Sequence, residues 1–383
     1  MISNPKKLKK VVYLSGTRAD FGLLKSTLML LEKDNKIELQ IIATTMHNSK
    51  KYGLTVNEIK KDFKNVISIN SLIKGKSSGK SMANNISRTI NGCLRIFDKS
   101  IPDFLIILGD RGEMLAGAIA ASHLNIPVIH IHGGERSGTI DEPIRHAISK
   151  ISHYHLVSNI NSRKRLIKMG ENKNNIHVVG APGLDDIKKI KLFRKNFLCS
   201  KFNIDPNRKL ALLIYHPIIQ DIAISETHIK NIINCCVKNN IQIFALLPNS
   251  DSGSDSIRNI LSENFKFKNI ILYTHLERNY YLSIMKICDF IIGNSSSGII
   301  ESASFNIPSI NVGNRQNYRD RNKNTIDVCG DIRSINTAIK KALKLKFINK
   351  TNIYGDGRAG IKIHKFINNL NKNNNVLFKV NSY

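Results

Sequence analysis

Carboxylates, basic side chains and glycines recur in this sequence in clusters whose chemistry would be proton transfer beside a bound anion. Gly109-Asp110-Arg111-Gly112-Glu113 sets an acid next to a base, and His130-Ile131-His132-Gly133-Gly134-Glu135 adds another acid. Asp141-Glu142-Pro143-Ile144-Arg145-His146 begins six residues beyond Glu135. Asp110, Glu135 and Asp141 are therefore candidate acids and bases for abstracting a proton and expelling a leaving group. Two further turns suit an anion. Ser15-Gly16-Thr17-Arg18-Ala19-Asp20 presents a cation, Arg18, with backbone N–H groups, and Gly293-Asn294-Ser295-Ser296-Ser297-Gly298-Ile299-Ile300-Glu301 presents small hydroxyls and glycine. Glu301 would stand about one turn into the second helix, in reach of a pair of sugar hydroxyls. His216, before Pro217, could donate to a phosphate or protonate a leaving oxygen.

Each group also has a plainer reading. Arg18 and Asp20 could pair at a turn, Asp110 could end a strand, Asp141 could cap a helix ahead of Pro143, Ser295 could be an N-cap, and His130 or His132 could be hydrogen-bonded within a core. Coincidence is harder to sustain when three successive strand ends carry such clusters.

The elements that must position these residues follow from alternating apolar runs and amphipathic stretches, the pattern of β-α units around parallel sheets. Strands are predicted at 11–15, 39–44, 104–108, 127–131, 154–158 and 176–179, then at 210–215, 241–247, 270–273, 290–293 and 309–312. Helices are predicted at 22–33, 82–100, 114–124, 143–152 and 162–169, then at 226–239, 254–264, 278–286 and 299–305. A charged, poorly patterned stretch at 185–207 separates the two sets. The expected fold class is α/β, with two Rossmann-like doubly wound domains facing a cleft. The first would span 1–183 and carry the acids, the second 184–355, and a tail with one weak helical pattern, 356–383, would pack back on the first.

Composition bounds the alternatives. With 58 Lys and Arg against 29 Asp and Glu the formal charge is +29, which attracts polyanions. The lysines are dispersed and there is no tryptophan, so a basic nucleic-acid-binding protein is the weaker reading. No apolar run approaches a membrane span, and a cytoplasmic location without membrane partners is expected. Cys93, Cys199, Cys235, Cys236, Cys288 and Cys329 show neither a disulfide nor a zinc spacing. His130 and His132 lack further ligand spacing, so no metal is expected, and no GxSxG elbow points to a serine nucleophile.

As an ordered set, these motifs resemble the hydrolysing UDP-N-acetylglucosamine 2-epimerases within the GT-B-fold epimerase superfamily. The set comprises Gly16–Asp20, His47, Gly109-Asp110-Arg111, His132 to Glu135, Asp141 to His146, His216-Pro217, Pro248-Asn249-Ser250-Asp251, Asn294 to Glu301 and Gly313-Asn314-Arg315-Gln316. The resemblance implies a UDP-sugar between the domains, with no cofactor. Arg18, His216, Ser295 and Ser296 would hold the diphosphate, Glu301 the ribose, and Arg315 would lie near the nucleotide. His47, Arg111, Arg145 and Asn249 would complete the substrate site, while Asp110, Glu135 and Asp141 would move protons with His216 beside them. The family reaction removes the proton at sugar C2, expels UDP to give a 2-acetamidoglucal, and adds water to give N-acetylmannosamine for sialic-type acids. A UDP-2,4-diacetamido-trideoxy sugar, a non-hydrolysing epimerase and a GT-B glycosyltransferase are the related alternatives. A homo-oligomer, dimer or tetramer, is also implied. The chain departs from the family pattern at Leu23, Thr45 and Tyr318, where lysine, glycine and glycine are usual.

Overall fold

The run Val11 to Leu14 is no more than 3% exposed at any residue, as a strand covered by helices on both faces requires. It belongs to β1 (Lys9–Ser15). The structure, a computed structural model, describes residues 8–73, 78–218, 220–248, 251–264, 269–274, 276–345, 351–371 and 374–382. The N-terminal half adds β2 (Ile37–Thr44), β3 (Val66–Ile69), β4 (Phe104–Leu108), β5 (Val128–Ile131), β6 (Tyr154–Val157) and β7 (Ile176–Val178). The C-terminal half contains β8 (Leu210–Ile214), β9 (Gln242–Leu246), β10 (Ile270–Tyr273), β11 (Phe290–Gly293), β12 (Ser309–Val312) and β13 (Thr325–Val328).

Every described strand pairing is parallel. The orders are β3-β2-β1-β4-β5-β6-β7 and β10-β9-β8-β11-β12-β13, so in each sheet the strand order reverses beside its first strand. Such a switch point opens a crevice at the carboxyl ends of the strands, which is where both sheets place their polar loops. The fold is the expected pair of Rossmann-like sheets.

One face of the first sheet packs Phe21, Leu24 and Leu28 of the helix Arg18–Glu32 together with Ile363 and Ile367 of the helix Ala359–Asn369. The tail helix thus lies on the N-terminal half. Its other face packs Cys93, Phe97, Met114 and Ala118. In the second sheet the covering residues include Ile229, Ile233 and Ile339 on one side and Leu198, Phe202 and Met285 on the other.

Several elements differ from the expectation for identifiable reasons. β3 and β13 are four-residue edge strands without a continuous apolar run, so their sequences carried little signal. The stretch at 185–207 holds the helices Asp185–Lys189 and Lys195–Phe202; the second anchors itself with Leu198, Cys199 and Phe202 among charged neighbours. The expected helix at 299–305 is instead the short Ser297–Ile300 followed by a 3-10 turn, Ser302–Phe305.

Candidate active site

The turn after β1 is built around Asp20. Thr17 caps the helix Arg18–Glu32 in a reciprocal box with Asp20, whose Oδ2 accepts from Gly16 N at 3.1 Å, Thr17 N at 2.7 Å and Thr17 Oγ1 at 2.9 Å. Its Oδ1 takes the Tyr13 hydroxyl at 3.1 Å and the Ser15 hydroxyl. His47 stands behind this turn, with Nε2 2.9 Å from Ser15 Oγ and Nδ1 2.8 Å from Thr55 Oγ1. Burial pushes its pKa down to about 4, so the ring is neutral and supports the turn through Ser15. Arg18 reaches outward and pairs with Glu58 at 3.1 Å.

The acids lie at the ends of β4 and β5 and at the helix Asp141–Ile151. Asp110 is paired with Arg145, a fully buried guanidinium that also donates to the Glu135 carbonyl at 2.9 Å. Arg145 is thus a support for two of the acids, set on the same helix as Asp141. Asp141 is the first helical residue, the N-cap position belonging to Ile140, and its carboxylate lies 3.3 Å from Arg315 of the other half. Glu135 accepts from Ser158 Oγ at 2.6 Å, faces His132 Nδ1 at 3.3 Å and pairs with Arg319, again from the other half. Burial raises its pKa, but Arg319, His132 and Ser158 outweigh burial and hold it below the ordinary carboxylate value. His130, by contrast, is a core residue, 2.7 Å from the Gly109 carbonyl and 3.1 Å from Ser149 Oγ.

Opposite these acids the C-terminal half contributes three loops. Asn294 Oδ1 accepts from His216 N at 2.7 Å and its amide donates to the His216 carbonyl at 2.8 Å, which fixes the two loops together. Arg315 and Gln316 both donate to the Asn294 carbonyl at 3.1 Å, tying in the third. Close approach is essential at Gly293, where φ is +136° and a Cβ would stand 2.1 Å from the Ile214 carbonyl oxygen. Ser295 and Ser296 are half-buried at this turn, with Ser295 Oγ 3.0 Å from Ser297 Oγ. Glu301 is buried and pairs with Arg278, which also donates to the Gly183 carbonyl at 2.6 Å. Asn249 lies outside the described residues.

Charge pairs stitch the two sets of loops across the cleft. Besides Asp141 with Arg315 and Glu135 with Arg319, Arg111 meets Asp251 at 2.9 Å, and Arg165 holds both oxygens of Asp320 at 2.9 and 3.0 Å. Backbones meet as well, Gly138 N donating to the Arg315 carbonyl at 3.0 Å; a Cβ on Gly138 would lie 1.9 Å from the Asn314 oxygen. Thr139, Asp141, Pro217, Asp251 and Arg315 line a narrow crevice of about 10 Å³. Asp251 lies within a quoted motif and Arg319 three residues beyond one, but neither had a role from sequence, because the partner of a loop charge is set by the facing domain. His132, with only a core or a metal reading from sequence, faces Glu135. Among the described residues no cluster of three or more His, Cys, Asp or Glu could hold a metal.

Carboxylates with a histidine on one rim, facing arginines, a histidine and a serine turn on the other, can exchange protons beside a bound anion. This fold and site define a GT-B-like α/β protein with its polar residues between two opposed sheet edges. Residues 29–368 match the family described as UDP-N-acetylglucosamine 2-epimerase, and the chain belongs to that family. It is 42% identical over 376 residues to the UDP-N,N'-diacetylbacillosamine 2-epimerase (hydrolyzing) of Legionella pneumophila, covering 98% of this chain and 100% of that protein. It is 32% identical to a UDP-N-acetylglucosamine 2-epimerase of Neisseria meningitidis, covering 95% of each chain. The crystal structure of the UDP-GlcNAc 2-epimerase from Neisseria meningitidis bound to UDP-GlcNAc shares the fold, with a TM-score of 0.77 at 19% identity over 94% of this chain and 100% of that one. Among the described residues no helix is long and apolar enough to cross a membrane.

Proposed function

We propose that this chain is a hydrolysing 2-epimerase that converts a UDP-linked 2-acetamido sugar and water into the free 2-epimer and UDP. The observation that carries the reading is the convergence of Asp110, Glu135 and Asp141 on one rim, opposite His216, the Ser295–Ser296 turn and the arginines Arg315 and Arg319. In this reading the C2–H bond breaks as the C1–O bond to the diphosphate breaks, leaving a 2-acetamidoglucal and UDP. A proton then returns to C2 from the opposite face while the hydroxyl of water adds to C1.

Expulsion of UDP needs its charge neutralised as it develops. Arg18, His216, Ser295 and Ser296 are assigned to the diphosphate, Glu301 to the ribose and Arg315 to the nucleotide. Arg18 must then exchange Glu58 for phosphate, and Glu301 must share itself between Arg278 and the ribose. Arg111, paired with Asp251, closes the cleft beside them. His47 acts through Ser15 and the Asp20 turn, and Arg145 through Asp110.

The preferred sugar is UDP-N,N'-diacetylbacillosamine, since the relative with that name matches this chain at 42% along its whole length. UDP-N-acetylglucosamine is the second reading, favoured by the 32% identical relative; its product, N-acetylmannosamine, would feed sialic-type acids. Incubation with each sugar nucleotide and separation of UDP from free sugar decides between them. UDP release from one, lowered about 10²–10⁴-fold in Asp110→Asn and Asp141→Asn, is expected. A UDP-linked epimer would mean a non-hydrolysing enzyme, and no turnover of either sugar would overturn the proposal.

A further inference from the structure

The reaction proposed above needs a group that accepts the C2 proton, and the geometry is selective about which group that is. Glu135 is 2% exposed, and its oxygens are engaged by Ser158, His132 and Arg319. To take a proton from carbon it would have to shed a cation and a hydrogen bond inside the protein, which leaves buried partners unmatched. A better-placed group stands beside it.

His132 follows β5, where its amide donates to the Leu156 carbonyl at 3.1 Å, and its φ is +66°, a left-handed conformation unusual for a bulky residue. The ring is buried, with Nδ1 turned toward Glu135 Oε1. Its Nε2 is buried too and meets no hydrogen-bond partner among the described residues. At a residue whose carboxylate partner is also gripped from the other half, a polar atom left open in this way is available to a ligand. Burial lowers the pKa of this ring, with Arg319 opposing and Glu135 favouring the charged form. In the neutral imidazole that results, Nδ1, which faces the carboxylate at 3.3 Å, carries the proton and Nε2 keeps its lone pair. This is the arrangement of a base oriented by a carboxylate. Arg319, which grips the same carboxylate from the other half, places the pair at the closed cleft.

We infer that His132 is the catalytic base of the first half-reaction and that Glu135 is its positioning residue. Nε2 takes the C2 proton, the C–H electrons form the C1=C2 double bond, and the C1–O electrons leave with UDP. The imidazolium so formed is stabilised by Glu135 and passes its proton to solvent after UDP departs. Asp110 and Asp141 remain for the opposite face, where a proton is returned to C2 as water adds to C1.

This inference rests on the 2-epimerase reading, and its test separates the two. Wild-type enzyme, His132→Asn, His132→Gln and Glu135→Gln are compared for UDP release from the UDP-sugar under saturating and limiting substrate, and for UDP affinity by calorimetry. Asn tolerates positive φ, so the first variant keeps the turn while removing the base. Both His132 variants are expected to lose about 10³-fold in kcat with UDP affinity within about threefold of wild type. Glu135→Gln keeps the base but not its aim, and is expected to lose only about 10–10²-fold in kcat at an unchanged KM. A wild type that releases no UDP overturns the functional reading and the inference with it. An active wild type whose His132 variants retain a tenth or more of its kcat overturns the inference alone, as does a Glu135→Gln variant that falls to or below the level of His132→Asn.

Discussion

Two buried carboxylates in the N-terminal half have nearly the same company, a histidine and cationic nitrogens, and only one of them meets the other half of the molecule. Glu171 lies 2.9 Å from Lys150 Nζ, 2.9 Å from His155 Nε2 and 2.6 Å from Lys379 Nζ. Glu135 has His132 in place of His155, and Arg319 from across the cleft in place of the two lysines. Even the histidines match, each leaving its far ring nitrogen without a partner among the described residues. What separates them is access. His155 sits within β6, 1% exposed, and every partner of Glu171 comes from the N-terminal half or from the tail that straps it. Glu135 is completed only when the halves close. The same local chemistry is therefore a rivet within one half in one place and a contact across the cleft in the other.

The most severe test of that distinction removes the rivet. Glu171→Gln strands the partly buried Lys379 and Lys150 without their anion and is expected to cost about 3–5 kcal/mol of stability. Its kcat per folded molecule should stay within about twofold of wild type, because nothing in the cleft touches it. Denaturant titration paired with UDP release checks both halves of that statement. The effect also has a pH signature. Burial alone would raise the pKa of Glu171, but His155, Lys379 and Lys150 bring it from 4.5 down to about 2. A folded-state value below the unfolded one gives stability that is complete above about pH 4.5 and is lost as pH falls through about 2. The difference in stability between wild type and Glu171→Gln should shrink across that window. A variant that lost catalysis while remaining fully stable would erase the contrast between the two carboxylates.

How much of this was open to a reader of the sequence differs between the backbone and the charges. β1, β4 and β8 announce themselves because a strand buried on both faces must be apolar throughout, as the segments Lys9–Ser15, Phe104–Leu108 and Leu210–Ile214 largely are. β3 and β13 do not, since an edge strand of four residues is only partly covered. The acid-bearing loops could be placed at strand ends by the same logic. Their partners could not. Nothing local to His47 says that both ring nitrogens will be engaged by hydroxyls of the same half, nor does Glu135 reveal that Arg319 will reach it from 184 residues away. Glycines such as Gly293 were readable as punctuation, yet the carbonyl that forbids a Cβ there belongs to a strand far off in the sequence. Motif resemblance supplied the missing long-range information for the family, without fixing which side chains face substrate and which brace those that do.

A smaller effect tests whether the tail strap matters to the cleft at a distance. Lys379 Nζ donates to the carbonyls of Ser149, Lys150 and Ser152 at 3.0, 2.8 and 2.7 Å. These lie at the end of the helix Asp141–Ile151, whose last-turn carbonyls lack intrahelical partners and attract a cation. The opposite end of that helix carries Asp141. Lys379→Met keeps the length of the side chain and removes the charge, and should lower stability by about 1.5–3 kcal/mol. Turnover should change by less than about threefold if a packed helix transmits little from one end to the other. A larger loss in kcat, with UDP affinity kept, would show that the strap helps aim Asp141 and would join the two regions that the comparison holds apart.

The smallest effect belongs at the rim of the cleft. Lys51 meets Asp255 across the halves at 2.7 Å, but their side chains are 44% and 37% exposed; those of Arg111 and Asp251, at 2.9 Å, are 21% and 10% exposed. Distance alone would rank the rim pair first. Solvent reverses the order, because water and salt screen exposed charges and holding two long side chains in register costs entropy. Lys51→Ala should therefore change stability by less than about 1 kcal/mol and lose what effect it has as salt is raised. Denaturation of wild type and variant at low and high ionic strength measures it. A salt-insensitive loss as large as that from Glu171→Gln would mean that closure of the halves, more than burial of each charge, governs the energetics of these pairs, and the cleft would then rank beside the rivet as a source of stability.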